Sequence, residues 1–176
     1  VNPVAGGKNN DRTALIADIK RTMADRAEPY DIYITAGRLD ACEKIREEAA
    51  ACDKLRVYAC GGDGTLNECV NVAVGLENVS ITNYPCGTGN DFVKMFGKTA
   101  KEKFTIEALI DGEERRIDVI DCNGRCGINI CSIGVDARIG TEVHKYSSIP
   151  VIGGATGYVV SLAVNLARGV TQHLKI

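Results

Sequence analysis

Residues 59–68 read ACGGDGTLNE. Three glycines surround a single aspartate, directly after the apolar run 55–60 and directly before a stretch with helical spacing. A strand that feeds a glycine loop and then a helix N-terminus forms an anion site. The first-turn amides lack intrahelical partners, and the helix dipole favours negative charge there. Glycine lets the backbone come close to phosphate oxygens and adopt positive φ. Two further loops of this kind follow apolar runs: NPVAGG at 2–7 and PCGTGND at 85–91.

Asp63 is the residue that glycine geometry alone does not explain. A carboxylate among phosphate-attracting amides would repel the anion unless a cation stood between them, and Mg²⁺ bridges phosphate oxygens in transfer reactions. Alternatively Asp63 takes the proton of an attacking hydroxyl, or it only serves a tight turn. Thr65 and Glu68 fit the Ser/Thr-x-x-Glu capping box, in which each would do no more than close its own helix. The loop is not a Walker motif, because no Gly-x-x-x-x-Gly-Lys-Ser/Thr is present. Gly62-x-Gly64 and Gly87-x-Gly89 both lack the third glycine of the dinucleotide fingerprint, with Asn67 and Phe92 in its place.

Around these loops the chain alternates helix and strand. Residues 11–26 carry Leu15, Ile16, Ile19 and Met23 at helical spacing, and 30–35 alternate as a strand. Residues 39–51 form a helix with Cys42, Ile45 and Ala49 on its apolar side, and 55–60 form a strand. A helix over 66–74 stops at Gly75, a strand spans 79–84, and a short helix ends at Gly97. This rhythm predicts an α/β fold, a doubly wound parallel sheet with all three glycine loops on its carboxyl edge, where such sheets bind ligands. From Phe104 onward, short alternating runs separated by Asp-Gly and Asn-Gly turns predict antiparallel hairpins. The expectation is an α/β domain over 1–117 and the start of a truncated β-rich domain over 118–176. Within the latter, residues 156–168 form an apolar helix with Val159, Leu162, Ala163 and Leu166 on one face, suited to core packing or to lining an acceptor entry.

Composition narrows the function. The chain has 176 residues, a net charge of −2 and 5% aromatic residues, which offers neither a basic field nor stacking platforms for nucleic acid. None of the eight cysteines forms a Cys-x-x-Cys pair. A zinc site at Cys122, Cys126 and Cys131 has the wrong spacing, so buried reduced thiols in a cytoplasmic protein are the expectation. The uncharged stretch 146–167 is interrupted by Pro150, Gly153, Gly154, Gly157 and Asn165, and reads as a loop and a buried helix rather than a membrane span. No signal peptide or basic amphipathic stretch is visible. The abrupt ends suggest a piece of a longer protein, and oligomeric state stays open, a homodimer included.

NPVAGG, GGDGTLNE and PCGTGNDF, in this order and spacing, resemble the catalytic domain of the diacylglycerol kinase family, the bacterial lipid kinases related to sphingosine kinases. The likeness continues through RRIDV (115–119) and INICSIGVDARIG (128–140). GGDGT alone is shared with NAD kinases, while the Asn-Pro opening and GTGNDF favour the lipid branch.

The resemblance implies that Asn2, Pro3, Val4, Ala5, Gly6, Thr35, Gly61, Gly62, Gly64, Thr65, Leu66, Asn67 and Thr88 contact ATP. It places Asp63 at the reaction centre, with Mg²⁺ or as the base. Lys8 would neutralise phosphate charge or be a solvated loop lysine, and Asp118 would be a junction residue, structural or linked to metal through water. The implied activity is transfer of the γ-phosphoryl group of Mg-ATP to a lipid hydroxyl such as that of diacylglycerol, in phospholipid metabolism. The lipid would be met at the inner face of the membrane by a peripheral cytoplasmic enzyme. A NAD kinase and a non-catalytic lipid- or nucleotide-binding module are the alternatives.

Overall fold

The computed structural model describes residues 1–6, 12–97, 99–147 and 154–171. Two compact units divide the chain, residues 1–129 and 130–176.

In the first unit, β1 (Leu55–Gly61) and β2 (Val79–Pro85) pair in parallel, in a register running from Leu55 opposite Val79 to Gly61 opposite Pro85. On the other side of β1 lies the two-residue segment Val1–Asn2, whose Asn2 N–H donates to Cys60 O at 2.9 Å. Beyond it lies the extended segment 33–35. Val1 N donates to Tyr33 O at 2.6 Å and Thr35 N–H donates to Val1 O at 3.1 Å, which is a parallel bridge. The expected strand at 30–35 runs extended and meets Val1 in this bridge. The spatial order is 33–35, 1–2, β1, β2. The chain steps outward from 1–2 to 33–35 and then crosses to β1 on the other side. The strand order thus reverses at Asn2.

Helices cover both faces, as a doubly wound sheet requires. Successive residues of a strand point to opposite faces. Accordingly Ala59 packs among Cys42 and Ile45 of α2 (Asp40–Ala51) and Leu66, Cys69, Val70 and Val72 of α3 (Asp63–Ala73). Its neighbour Cys60 packs on the opposite side with Leu15 of α1 (Arg12–Met23) and Ile106. Burial of Leu66, 1% exposed, contributes about 1.5–3 kcal/mol. After β2 come α4 (Asp91–Lys94), α5 (Ala100–Lys103) and α6 (Ile106–Ile110), the last capped by the Thr105 hydroxyl, which accepts from Ala108 N–H.

The region after Phe104 departs from the expectation of successive hairpins. Among the described residues one hairpin forms, β3 (Ile120–Cys122) with β4 (Arg125–Gly127), around the left-handed pair Asn123 and Gly124. It packs within the first unit, where the Asn67 and Asn71 side-chain amides both donate to Cys126 O and Asn71 Oδ1 accepts from Cys126 N–H. The second unit holds α7 (Val135–Ser147) and α8 (Gly154–Ala167) and no strand among the described residues. Val135, Ile139 and Val143 are the physical reason. They recur every four residues, which suits a helix face, although Val135, Ala137 and Ile139 read alone as an alternating strand.

The buried face of α8 also differs from the expected one. Gly157, Ser161 and Asn165 face inward, whereas Val159 and Leu166 are exposed. Ser161 Oγ donates to Ile139 O at 3.0 Å and Asn165 Nδ2 donates to Glu142 Oε2 at 3.1 Å, so small polar side chains join the two helices. No helix among the described residues is long and apolar enough to cross a membrane.

Candidate active site

The carboxyl ends of 1–2, β1 and β2 all open into one cleft of about 510 Å³ at the point where the strand order reverses. Its floor is made by two glycine loops in direct contact. A methyl group on Gly87 would collide with Gly62 Cα, and one on Gly62 would stand 3.1 Å from Gly87 Cα. Glycine is required here by close backbone approach, since Gly62 itself is extended (φ −95°, ψ −168°). Asn90, left-handed at φ 53°, locks the third loop: its Oδ1 accepts from Gly87 N–H at 2.9 Å and its Nδ2 donates to Gly87 O at 2.6 Å.

Gly62 is the N-cap of α3 and offers no side chain to the helix. The first intrahelical donor is Leu66 N–H, to Gly62 O at 3.1 Å, so the amides of Asp63, Gly64 and Thr65 precede the hydrogen-bonded ladder. The capping box does not form. Thr65 is the third helical residue, and its Oγ1 accepts from Asn2 Nδ2 at 2.8 Å. Glu68 turns to α2 instead: Oε2 accepts from Leu39 N–H at 3.1 Å, and Oε1 lies 3.5 Å from Arg38 Nε. Leu39 sits at φ 63°, uncommon for a leucine, and Glu68 holds its amide there.

Asp63 is the first residue of α3 and reaches sideways to the third loop. Its Oδ1 accepts from Asp91 N–H at 2.6 Å, and its Oδ2 lies 2.5 Å from where a Cβ on Gly89 would stand. Asp91 in turn pairs with Lys94 at 2.7 Å. That hydrogen bond, then the charges of Asp91 and Asp63, push the Lys94 ammonium above its ordinary pKa.

Of the residues proposed for ATP, the cleft brings together Asn2, Pro3, Val4, Ala5, Gly6, Thr35, Gly62, Gly64, Thr65 and Thr88. Three others lie elsewhere: Gly61 is buried against the Thr65 side chain, Leu66 fills the core, and Asn67 is committed to the hairpin at Cys126. Asp118 is exposed and has no hydrogen-bond or ion-pair partner among the described residues. Lys8 lies outside the described residues. Arg38, Ala41 and Gly87 also line the cleft, and Asn90 and Asp91 support it, although the motif reading gave them no role. For Asn90 and Asp91 the signal was present in GTGND itself. Arg38 follows the extended segment at a loop position without motif character.

No group of three or more His, Cys, Asp or Glu side chains able to hold a metal occurs among the described residues. The donor set suits a cation shared with phosphate: Mg²⁺ takes one or two carboxylates and completes its shell with phosphate oxygens and water. Asp63 Oδ2, beside a cradle that a Cβ would fill, fits that use. All eight cysteines are free. Burial pushes the Cys60 thiol up to about 12 and that of Cys69 to about 11. Cys122 and Cys131 are exposed, contrary to the general expectation of buried thiols.

The family model described as the diacylglycerol kinase catalytic domain matches residues 1–122, which contain every part of this cleft. The chain belongs to that family. Among curated relatives of this diacylglycerol kinase-type chain, a "Probable lipid kinase YegS-like" of Cronobacter sakazakii is 29% identical over 146 residues, covering 81% of this chain and 48% of the relative. One of the same name from Pseudomonas aeruginosa is 32% identical over 131 residues, covering 72% and 43%. A Staphylococcus haemolyticus protein also named as a lipid kinase is 34% identical over 134 residues, covering 74% and 44%. The chain spans about half the length of these relatives. No solved structure matches.

Proposed function

We propose that the chain carries the ATP-binding half of a lipid kinase that transfers the γ-phosphoryl group to a lipid hydroxyl, such as that of diacylglycerol. The observation that carries this reading is the contact of Gly62 with Gly87, which sets the uncapped head of α3 at the cleft, while the Asp63 carboxylate at that same helix start reaches to Asp91 N–H and Gly89 of the third loop. Family membership and the names of the relatives support the lipid acceptor over NAD.

In this reading the Asp63, Gly64 and Thr65 amides bind the polyphosphate and the dipole of α3 offsets its charge. Asn2 fixes two sides of the cleft at once, holding Thr65 Oγ1 and accepting from Val4 N–H at 3.0 Å. Asp91 N–H orients Asp63 so that Oδ2 is the oxygen left for Mg²⁺ or for the hydroxyl proton. Bound Mg²⁺ supplies neutralisation of charge on the phosphoryl oxygens. Catalysis is then mainly positioning and charge stabilisation. Peripheral attachment to the inner membrane face, a second domain opening near Asp118, and the Lys8 and Asp118 roles belong to the same proposal.

The test uses labelled ATP with diacylglycerol vesicles and, separately, with NAD. Turnover on lipid alone is expected, and phosphorylation of NAD alone would refute the lipid acceptor. Asp63→Asn should lower kcat by about a hundredfold or more. If Asp63 ligates Mg²⁺, the Mg²⁺ requirement rises as well; if it is the base, Mg²⁺ affinity is unchanged. Wild-type turnover in the variant would remove Asp63 from the mechanism.

A further inference from the structure

Asn67 and Glu68, which close the GGDGTLNE stretch, both line a second cavity in the first unit, of about 260 Å³, between α2, α3 and the β3–β4 hairpin. Its charge is one-sided. Arg38, Arg46 and Arg125 line it against a single carboxylate, that of Glu68. Glu68 is already shared: Oε2 accepts from Leu39 N–H, and Oε1 lies 3.5 Å from Arg38 Nε. That contact takes Nε alone, so the two terminal nitrogens of Arg38 have no partner among the described residues. Arg46 and Arg125 form no hydrogen bond or ion pair among those residues. Nearby acids do not change this. Glu43 and Glu47 neighbour Arg46 on α2 without lining the cavity, and Asp121 on β3 is turned to Gly124 N–H at 2.8 Å.

Local structure stations the three arginines. Arg46 stands one turn after buried Cys42, on the same side of α2. Arg38 precedes Leu39, whose left-handed backbone Glu68 holds. Arg125 opens β4 beside Cys126, and Cys126 is clamped to α3 by three bonds. Its carbonyl accepts from Asn67 Nδ2 at 2.9 Å and Asn71 Nδ2 at 2.8 Å, and its N–H donates to Asn71 Oδ1 at 2.8 Å. One face of α3 thus fixes the place of a residue whose own side chain bonds to nothing among the described residues.

A guanidinium is a planar fork that matches phosphate geometry and stays charged. A phosphomonoester carries a charge of about −1.5 to −2 near pH 7 and three acceptor oxygens, which suits three guanidinium groups offset by one carboxylate. The cavity is smaller than the roughly 300–1,000 Å³ of ordinary small-molecule sites, so it suits a small anion rather than a second nucleotide.

We propose that this cavity is a seat for a phosphomonoester-type dianion, and that a filled seat weakens nucleotide binding in the neighbouring cleft. The seat stands without the lipid-kinase reading, and its effect on nucleotide rests on that reading. Arg38, Gly64 and Glu68 line both cavities. Arg38 gives its charge to one anion at a time, and two anions held on either side of it repel each other, so the coupling is negative and reciprocal. Free phosphate and the phosphate headgroup of a phosphorylated lipid present the same chemistry to the seat.

The experiment is calorimetric titration of the full chain with inorganic phosphate, at ionic strength held constant with chloride. Arg46→Gln and Arg125→Gln each remove a guanidinium that lies outside the ATP cleft and is exposed, so both variants should melt like wild type. Each should bind phosphate about tenfold more weakly. Saturating phosphate should weaken Mg-ATP binding about fivefold in wild type and less than about twofold in Arg125→Gln. Dihexanoyl phosphatidate, dissolved without vesicles, separates the two sources: tighter binding than inorganic phosphate supports the seat with a lipid headgroup in it, and equal binding supports it with free phosphate.

Wild-type phosphate affinity in both variants, or no phosphate binding by wild type, overturns the seat. A phosphate effect on Mg-ATP that is equal in wild type and Arg125→Gln places the competing anion at the head of α3 and overturns the coupling. Failure of Mg-ATP to bind, with phosphate affinity still lost in Arg125→Gln, refutes the kinase reading and supports the seat.

Discussion

Alanine at Gly64 and at Gly87, introduced one at a time, should separate the phosphate cradle from the fold that carries it. Gly64 is the second residue of α3, and a methyl there meets no atom within 4 Å. Replacing a helical glycine by alanine stabilises by about 0.5–1 kcal/mol. For a protein of this size the gain raises Tm by about 1–4 °C. The same residue lines the cleft, so the added methyl stands beside the amides that would receive phosphate. Gly64→Ala should therefore melt at or above wild type and bind Mg-ATP at least about tenfold more weakly, a loss near 1.4 kcal/mol. Gly87→Ala behaves differently. Its methyl collides with Gly62 Cα and stands 3.0 Å from Asn90 Oδ1, both held by the surrounding loops. Relieving that overlap costs about 1–3 kcal/mol, or about 2–12 °C in Tm, and ATP affinity falls with it. Differential scanning fluorimetry and calorimetric titration with Mg-ATP read both quantities. Wild-type affinity in Gly64→Ala would refute the assignment of the α3 amides to phosphate, and a wild-type melt in Gly87→Ala would refute the loop contact.

Other residues give independent checks. Asn71→Ala removes both bonds to Cys126 and leaves a backbone N–H without its acceptor, so stability should fall by about 1–3 kcal/mol, with amide exchange rising first across 120–127. Glu68→Ala releases Leu39 N–H and should cost about 1 kcal/mol in urea denaturation, while Glu68→Gln keeps an acceptor and should cost less. Iodoacetamide at pH 8 should label exposed Cys122 and Cys131 well before Cys60 and Cys69. Because the folded Cys60 pKa is raised, the stabilisation from its neutral thiol is complete below the free-thiol value of 9.0. It is lost as pH rises through about 12. Urea midpoints should accordingly decline from pH 9 upward, and less steeply in Cys60→Ala.

Much of the first unit was legible because its signals are local. Apolar runs ending in glycine fixed β1, β2 and the carboxyl-edge loops, and helical spacing of Leu15, Ile16, Ile19 and Met23 marked α1. The failures share a different cause. Val135, Ala137 and Ile139 satisfy both a two-residue and a four-residue period, and only packing against α8 decides between them. On α8 the apolar residues outnumber the polar ones, so apolarity could not indicate a buried face set by Gly157, Ser161 and Asn165. Thr65 and Glu68 fit a capping box by spacing, but a helix starting three residues earlier, at Asp63 rather than Leu66, moves both away from cap positions.

That early start has a chemical consequence. Three side chains near the head of α3 could have satisfied its amides, and each is engaged elsewhere. Thr65 accepts from Asn2, Glu68 accepts from Leu39 on the neighbouring helix, and Asp63 accepts from Asp91 in the third loop. These bonds cross between loops that are 63, 29 and 28 residues apart in sequence, so they brace the cleft as well as diverting its acceptors. Gly62 completes the arrangement by offering no side chain at the cap. A helix terminus inside a folded domain would normally find a capping group, since orphan amides away from a partner cost free energy. Here these three side chains hold the walls instead of capping α3, and that is why the proposed reading gives the helix's first amides to an anion from solvent.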